Sequence, residues 1–273
     1  MLGLDLNKAQ ISTGYLGFIE LLIKLFSSLI LYSLVDPDAF AMIAASSILY
    51  SWALSLTSAG AVDYFMKADW DDYIEKASAY FTRAILIILA YSVVMYFVVR
   101  YVHLEFLELS GSFLLLLILP SALLTPPLKT IMLRQGKGSL VSKIETFSIG
   151  ISNVMAIIFA LFVNGELALI LRVVIKPILM FCASLVFTTG IIMQLKFNSK
   201  KLGSDFHKFS FVAVTGNFLE SVRNNLLIYF LNTSTVGSFI QIESLLRNIE
   251  LISSKYVRNI FYPDFIKNRE NTN

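Results

Sequence analysis

Four groups of charged residues stand inside otherwise apolar stretches of this chain: Glu20 with Lys24, Arg172 with Lys176, Glu220 with Arg223, and Glu243 with Arg247 and Glu250. Residues three or four apart share one face of a helix, so each group makes a charged stripe. A charge at mid-bilayer costs several kcal/mol and normally faces a partner or a wet cavity. The cations Lys24, Arg172, Lys176, Arg223 and Arg247 are therefore the side chains expected to line a hydrated cleft and meet an anion. Arginine grips phosphate or carboxylate bidentately, and lysine acts as a compact point charge. Glu20, Glu220 and Glu243 would balance them, and Asn224 could hydrogen-bond a sugar or another helix. The alternative is that the charges pair within their own helices and fix packing. That fits the Glu–Lys and Glu–Arg pairs. It fits Arg172 and Lys176 less well, because like charges do not neutralise each other. At 1.5 Å per residue the two lie about 9 and about 15 Å inside their apolar stretch.

Other chemistry is poorly supported. Asp69, Asp71 and Asp72 form an acidic run without the second acidic cluster that a metal–pyrophosphate site needs. No glycine-rich nucleotide loop is present. The lone cysteine, Cys182, rules out an intrachain disulfide and a thiolate cluster, and His103 and His207 fall in separate loops. Asn232-Thr233-Ser234 matches a glycosylation sequon by short coincidence. With no catalytic constellation, no metal site and no cofactor expected, a membrane transferase is a remote alternative.

The elements that must hold these residues are membrane helices. The sequence is 56% hydrophobic and 15% charged, with mean hydropathy +0.72. Soluble domains carry about 25% charged residues, so lipid is the natural solvent. Runs of roughly 20 apolar residues cross the hydrocarbon, and eight such spans are expected, near 11–35, 39–62, 81–102, 111–133, 143–163, 166–194, 208–231 and 236–261. Odd-numbered spans lead into short or acidic connections, even-numbered ones into basic segments. Of the 22 Lys and Arg residues, 16 fall on one side, which the positive-inside rule assigns to the cytoplasm together with both termini. The start of the chain lacks the pattern of a cleaved signal peptide. Pro120, Pro126, Pro127 and Pro177 should bend the fourth and sixth spans. The basic stretch 196–208 reads as a linker dividing a six-helix lobe (1–195) from the first two helices of a second lobe (209–273).

Two stretches suggest a repeat: Phe18-Ile19-Glu20 with Lys24 and Tyr32, and Phe218-Leu219-Glu220 with Arg223 and Tyr229. Repeated halves are a usual construction of transporters. The sequences Val35-Asp36-Pro37-Asp38-Ala39-Phe40, Leu56 to Tyr64 (LTSAGAVDY), Arg223-Asn224-Asn225, Val236-Gly237-Ser238-Phe239 and Phe261-Tyr262-Pro263-Asp264-Phe265 resemble polysaccharide flippases. These belong to the multidrug/oligosaccharidyl-lipid/polysaccharide exporter superfamily. The resemblance covers nearly the whole chain through diffuse motifs. It implies an all-α integral membrane fold and translocation of a polyprenyl-pyrophosphate-linked oligosaccharide for bacterial surface polysaccharide, such as O-antigen, lipopolysaccharide or exopolysaccharide. It also implies an inner-membrane location, with the lipid bilayer, the lipid-linked oligosaccharide, and a polymerase or glycosyltransferases of the same pathway as partners, and no nucleic acid. Family members carry twelve or fourteen spans, whereas about eight are expected here. A natural short form, half of a split transporter and a non-transporting remnant all stay open. So does a cation-coupled multidrug antiporter, although most acids here have a basic neighbour.

Overall fold

The computed structural model describes residues 2–41, 43, 61–101, 118–192, 215, 234–243 and 246. It is all-helical, with no strand among the described residues. The helices are α1 (Leu2–Leu34), α2 (Ala61–Lys67), α3 (Trp70–Tyr101), α4 (Ile118–Arg134), α5 (Gly138–Phe162) and α6 (Gly165–Ile192). Residues 37–41 and 234–243 are helical as well. Among the described residues, four segments are long and apolar enough to cross a membrane: Tyr15–Leu34, Asp72–Val94, Gly138–Phe162 and Gly165–Thr188. The expected spans 11–35, 81–102, 143–163 and 166–194 thus correspond to α1, α3, α5 and α6, and α4 carries the described part of the fourth. The linker 196–208, nearly all of the seventh span, and most of the second and eighth lie outside the described residues.

α1 and α3 begin about ten residues earlier than hydropathy suggests. A helix of 33 residues is about 50 Å long, well beyond the roughly 30 Å of hydrocarbon, so its end projects into water. Near the start of α3, Lys76 pairs with Asp72 at 3.3 Å, one turn apart on the same helix.

α4 is the hub, packing against α2, α3, α5 and α6, while α5 also carries α1 and α6. Small and aromatic residues fill the α2–α3–α4 core: Ala61, Phe65, Tyr73, Ala77, Tyr80, Ala84, Leu123 and Ile131. The small residues let helices approach closely, the packing route available where lipid removes any hydrophobic drive between helices. On the opposite face of α3, Leu86, Leu89, Val93, Val94 and Phe97 are exposed, as lipid-facing side chains should be.

Pro126 and Pro127 lie inside α4 without ending it. A proline has no N–H, so the carbonyl four residues earlier loses its helical donor. For Pro127 that carbonyl belongs to Leu123, and the buried Tyr80 hydroxyl of α3 donates to it at 2.8 Å. One turn on, the Tyr73 hydroxyl donates to the Pro127 carbonyl at 2.7 Å, and the Thr130 hydroxyl donates to the Pro126 carbonyl at 2.8 Å. The gap that Pro127 leaves is thus filled by a side chain of the neighbouring helix. In α6 the helix continues through Pro177, and non-helical geometry appears further on, at Thr188.

The ends are fastened too. Gly136, at φ +74°, closes α4 as Lys137 N donates to the Met132 carbonyl and Gly136 N to that of Leu133, the double bond of a Schellman cap. Arg134 donates to the carbonyls of Phe65 and Ala68 and lies 4.3 Å over the Trp70 ring, pinning the α2–α3 turn to α4.

Candidate functional site

The site is built on α1. Its inward stripe, Glu20, Ser27, Ser28, Leu31 and Val35, is buried and repeats every three or four residues, as a packed helix face must. α5 runs parallel to it. Gly150 faces Ile23, the Ser27 hydroxyl donates to Asn153 Oδ1 at 2.8 Å, and Leu31 shares a core cluster with Ala156. The buried face of α5 is largely polar: Ser142, Glu145, Thr146, Ser148, Ser152 and Asn153. Its hydroxyls and amide donate in part to their own helix, Thr146 to the Ser142 carbonyl and Asn153 Nδ2 to that of Ile149, while the buried Ser142 hydroxyl has no hydrogen-bond partner among the described residues.

α6 runs antiparallel to α1, started by Asn164, whose side-chain oxygen accepts from Glu166 N at 2.7 Å. Gly165 packs on Val35 so closely that a Cβ there would meet its methyl at 3.0 Å. Leu169 joins the cluster of Leu31. One turn further, Arg172 Nη2 donates to the Ser28 hydroxyl at 2.9 Å. Each step toward the start of α1 is matched by an equal step toward the end of α6. The same register puts Lys24 and Lys176 at one depth, about 6 Å from the level of Arg172. Lys176 is exposed, Arg172 half-buried, and the Lys24 side chain 16% exposed.

Lys24 pairs with Glu20 at 2.8 Å, the within-helix pairing that the packing alternative required. Glu20 has no exposed surface, so it is a counter-ion held behind the cation. Arg172 meets a neutral hydroxyl instead, with Tyr32 within coulombic reach. Among the described residues, Lys24, Arg172 and Lys176 stand on this side of the α1–α6 seam with the carboxylate of Glu20. Such an arrangement can attract and orient an anion. Among the described residues no cluster of three metal-ligating side chains exists.

The helical run 234–243 covers one end of this site. The Tyr32 hydroxyl donates to the Gln241 carbonyl at 2.9 Å, and Gly237 abuts the Pro37 turn. The run is antiparallel to α1, so Glu243 lies about 3 Å beyond Gln241 along the axis, toward the level of Ser28. Arg223, Glu220, Asn224 and Arg247 lie outside the described residues.

Sequence inspection missed four participants. Ser28 and Tyr32 share a face with Lys24 at four-residue steps, a visible signal that was not used. Lys129 and Glu145 form a further ion pair, 2.7 Å long, between α4 and α5, with side chains 20% and 7% exposed. Their link is invisible locally because they are on different helices.

A family model described as polysaccharide biosynthesis protein matches residues 30–273. No curated protein and no solved structure matches the chain. The match takes in α2 to α6, the end of α1 with Tyr32 and the Pro37 turn, and both site residues of α6; the chain belongs to the polysaccharide biosynthesis protein family.

Proposed function

We propose that this membrane protein translocates a polyprenyl-pyrophosphate-linked oligosaccharide, and that Lys24, Arg172 and Lys176 receive the pyrophosphate. The observation that carries the proposal is the antiparallel α1–α6 register, which brings Arg172 onto Ser28; continued for one turn, it would set Lys176 level with Lys24. A diphosphate head group carries the charge that such a patch lacks, and a polar groove lets it cross while the lipid tail stays in hydrocarbon. Glu243 approaches the same groove from the run 234–243 and would help to tune it, and Arg223, Arg247, Glu220 and Asn224 would complete its far wall. Membership of a polysaccharide biosynthesis family supports a glycan as cargo.

In this proposal the protein is a six-helix lobe (1–195) joined by the linker 196–208 to the start of a second lobe (209–273). It sits in the inner membrane with both termini cytoplasmic, beside the polymerase or glycosyltransferases of its pathway. The parallel α1 and α5 and the antiparallel α6 are consistent with that alternation. Translocation of a fluorescent lipid-linked oligosaccharide in proteoliposomes tests it, comparing wild type with Arg172→Ala/Lys176→Ala. Loss in the variant, with insertion intact, is the predicted result. Equal rates would refute the assignment of the cations, and an inactive wild type would refute a self-sufficient transporter.

A further inference from the structure

We infer that Ser28 is a positioning residue: by accepting from Arg172 Nη2 it fixes which edge of the guanidinium faces the groove. The inference rests on the proposed anion site and assigns a role to a residue on the opposite wall from the cation. Ser28 has no exposed surface, so it does not meet a ligand itself. It can act only through what it touches, and its hydroxyl accepts from Arg172 at 2.9 Å.

A guanidinium has five donors in a rigid plane, and one is spent on Ser28. That single bond, from one terminal nitrogen, fixes the rotation of the plane and leaves the remaining donors for a bidentate partner. Tyr32, one turn along α1, is engaged on another segment, its hydroxyl donating to the Gln241 carbonyl. Lys24, one turn the other way, is held by Glu20. α1 therefore presents three anchors at four-residue spacing, of which Ser28 is the one that reaches across to α6. Without it, Arg172 would keep its charge but lose its orientation, so affinity should fall while electrostatic attraction persists.

The test uses full-length protein in detergent, inorganic pyrophosphate as the probe, and the variants Ser28→Ala, Ser28→Thr and Arg172→Ala. Binding is measured by calorimetry, and the Arg172 side chain is followed by 15N NMR of its Nε–H, assigned from the Arg172→Ala spectrum. Ser28→Ala should weaken pyrophosphate binding about tenfold, the effect of one charge-assisted hydrogen bond, and broaden or shift the Nε–H signal. Ser28→Thr, which keeps the hydroxyl, should restore both. An unchanged signal and unchanged affinity in Ser28→Ala would overturn the positioning role. So would equal losses in the alanine and threonine variants, which would make Ser28 a packing residue. Wild-type protein that holds the Nε–H signal through Ser28 yet ignores pyrophosphate would overturn the anion site itself, and with it any role for Ser28 in positioning.

Discussion

Tyr80→Phe removes one hydroxyl and nothing else, and its effect should depend on a proline in a different helix. The hydroxyl donates to the Leu123 carbonyl at 2.8 Å, and both residues have no exposed surface. That carbonyl has no helical donor because position 127 is proline. Orphaning a buried carbonyl costs about 1–3 kcal/mol, and hydrogen bonds between membrane helices measure about 0.6 to 1.7 kcal/mol, so a loss of about 1–2 kcal/mol is expected. In a Pro127→Ala background the alanine N–H can reach the Leu123 carbonyl four residues back. There Tyr80→Phe should cost much less, giving a coupling energy of about 1 kcal/mol. Unfolding in mixed micelles with rising detergent denaturant, run on all four members of the cycle, reads this directly. The same cost in both backgrounds would refute the idea that Tyr80 repairs the proline gap.

Glu145→Ala strands Lys129, whose partner sits at 2.7 Å. Because Lys129 is partly exposed, the destabilisation should be about 2–3 kcal/mol, below the 3–5 kcal/mol of a fully buried pair, while Lys129→Met/Glu145→Leu should unfold nearly as wild type in the same assay. Gly237→Ala would put a methyl 2.0 Å from the Pro37 carbonyl oxygen, so the run 234–243 must move. A cost of about 1–3 kcal/mol and weaker cross-linking between cysteines placed at Asp36 and Ser238, in a Cys182→Ser background, should follow. For the proposed orientation, cysteines at Asp38 and Asn164 should react with an impermeant thiol reagent added outside cells and one at Lys137 should not; the reverse pattern would invert the topology.

Much of the fold was legible in sequence because hydropathy reports the solvent of a helix directly. The apolar stretches gave α1, α3, α5 and α6; of the two cations of α6, Arg172 meets α1 at Ser28, and Lys176 is exposed. Helix starts were misplaced at α1 and α3, since a hydropathy window ends where the apolar run does, not where the hydrogen bonds do. Pro126 and Pro127 suggested a bend, yet the repair by Tyr80 comes from a helix 43 positions away in sequence. The same limit hid the Lys129–Glu145 pair and the Ser28–Arg172 bond. A charge stripe can be read along one helix, but its partner depends on the register between two.

The most direct test of the cationic groove is translocation of a lipid-linked oligosaccharide by wild type, Lys24→Ala, Arg172→Ala/Lys176→Ala and the triple variant, each reconstituted at equal density. If the three cations act on one pyrophosphate, at roughly 1.5–3 kcal/mol per charge-assisted contact, the double variant should fall at least about a hundredfold. The triple variant should lose less than the sum of its parts. A triple variant that inserts, folds and still translocates at the wild-type rate would contradict the account.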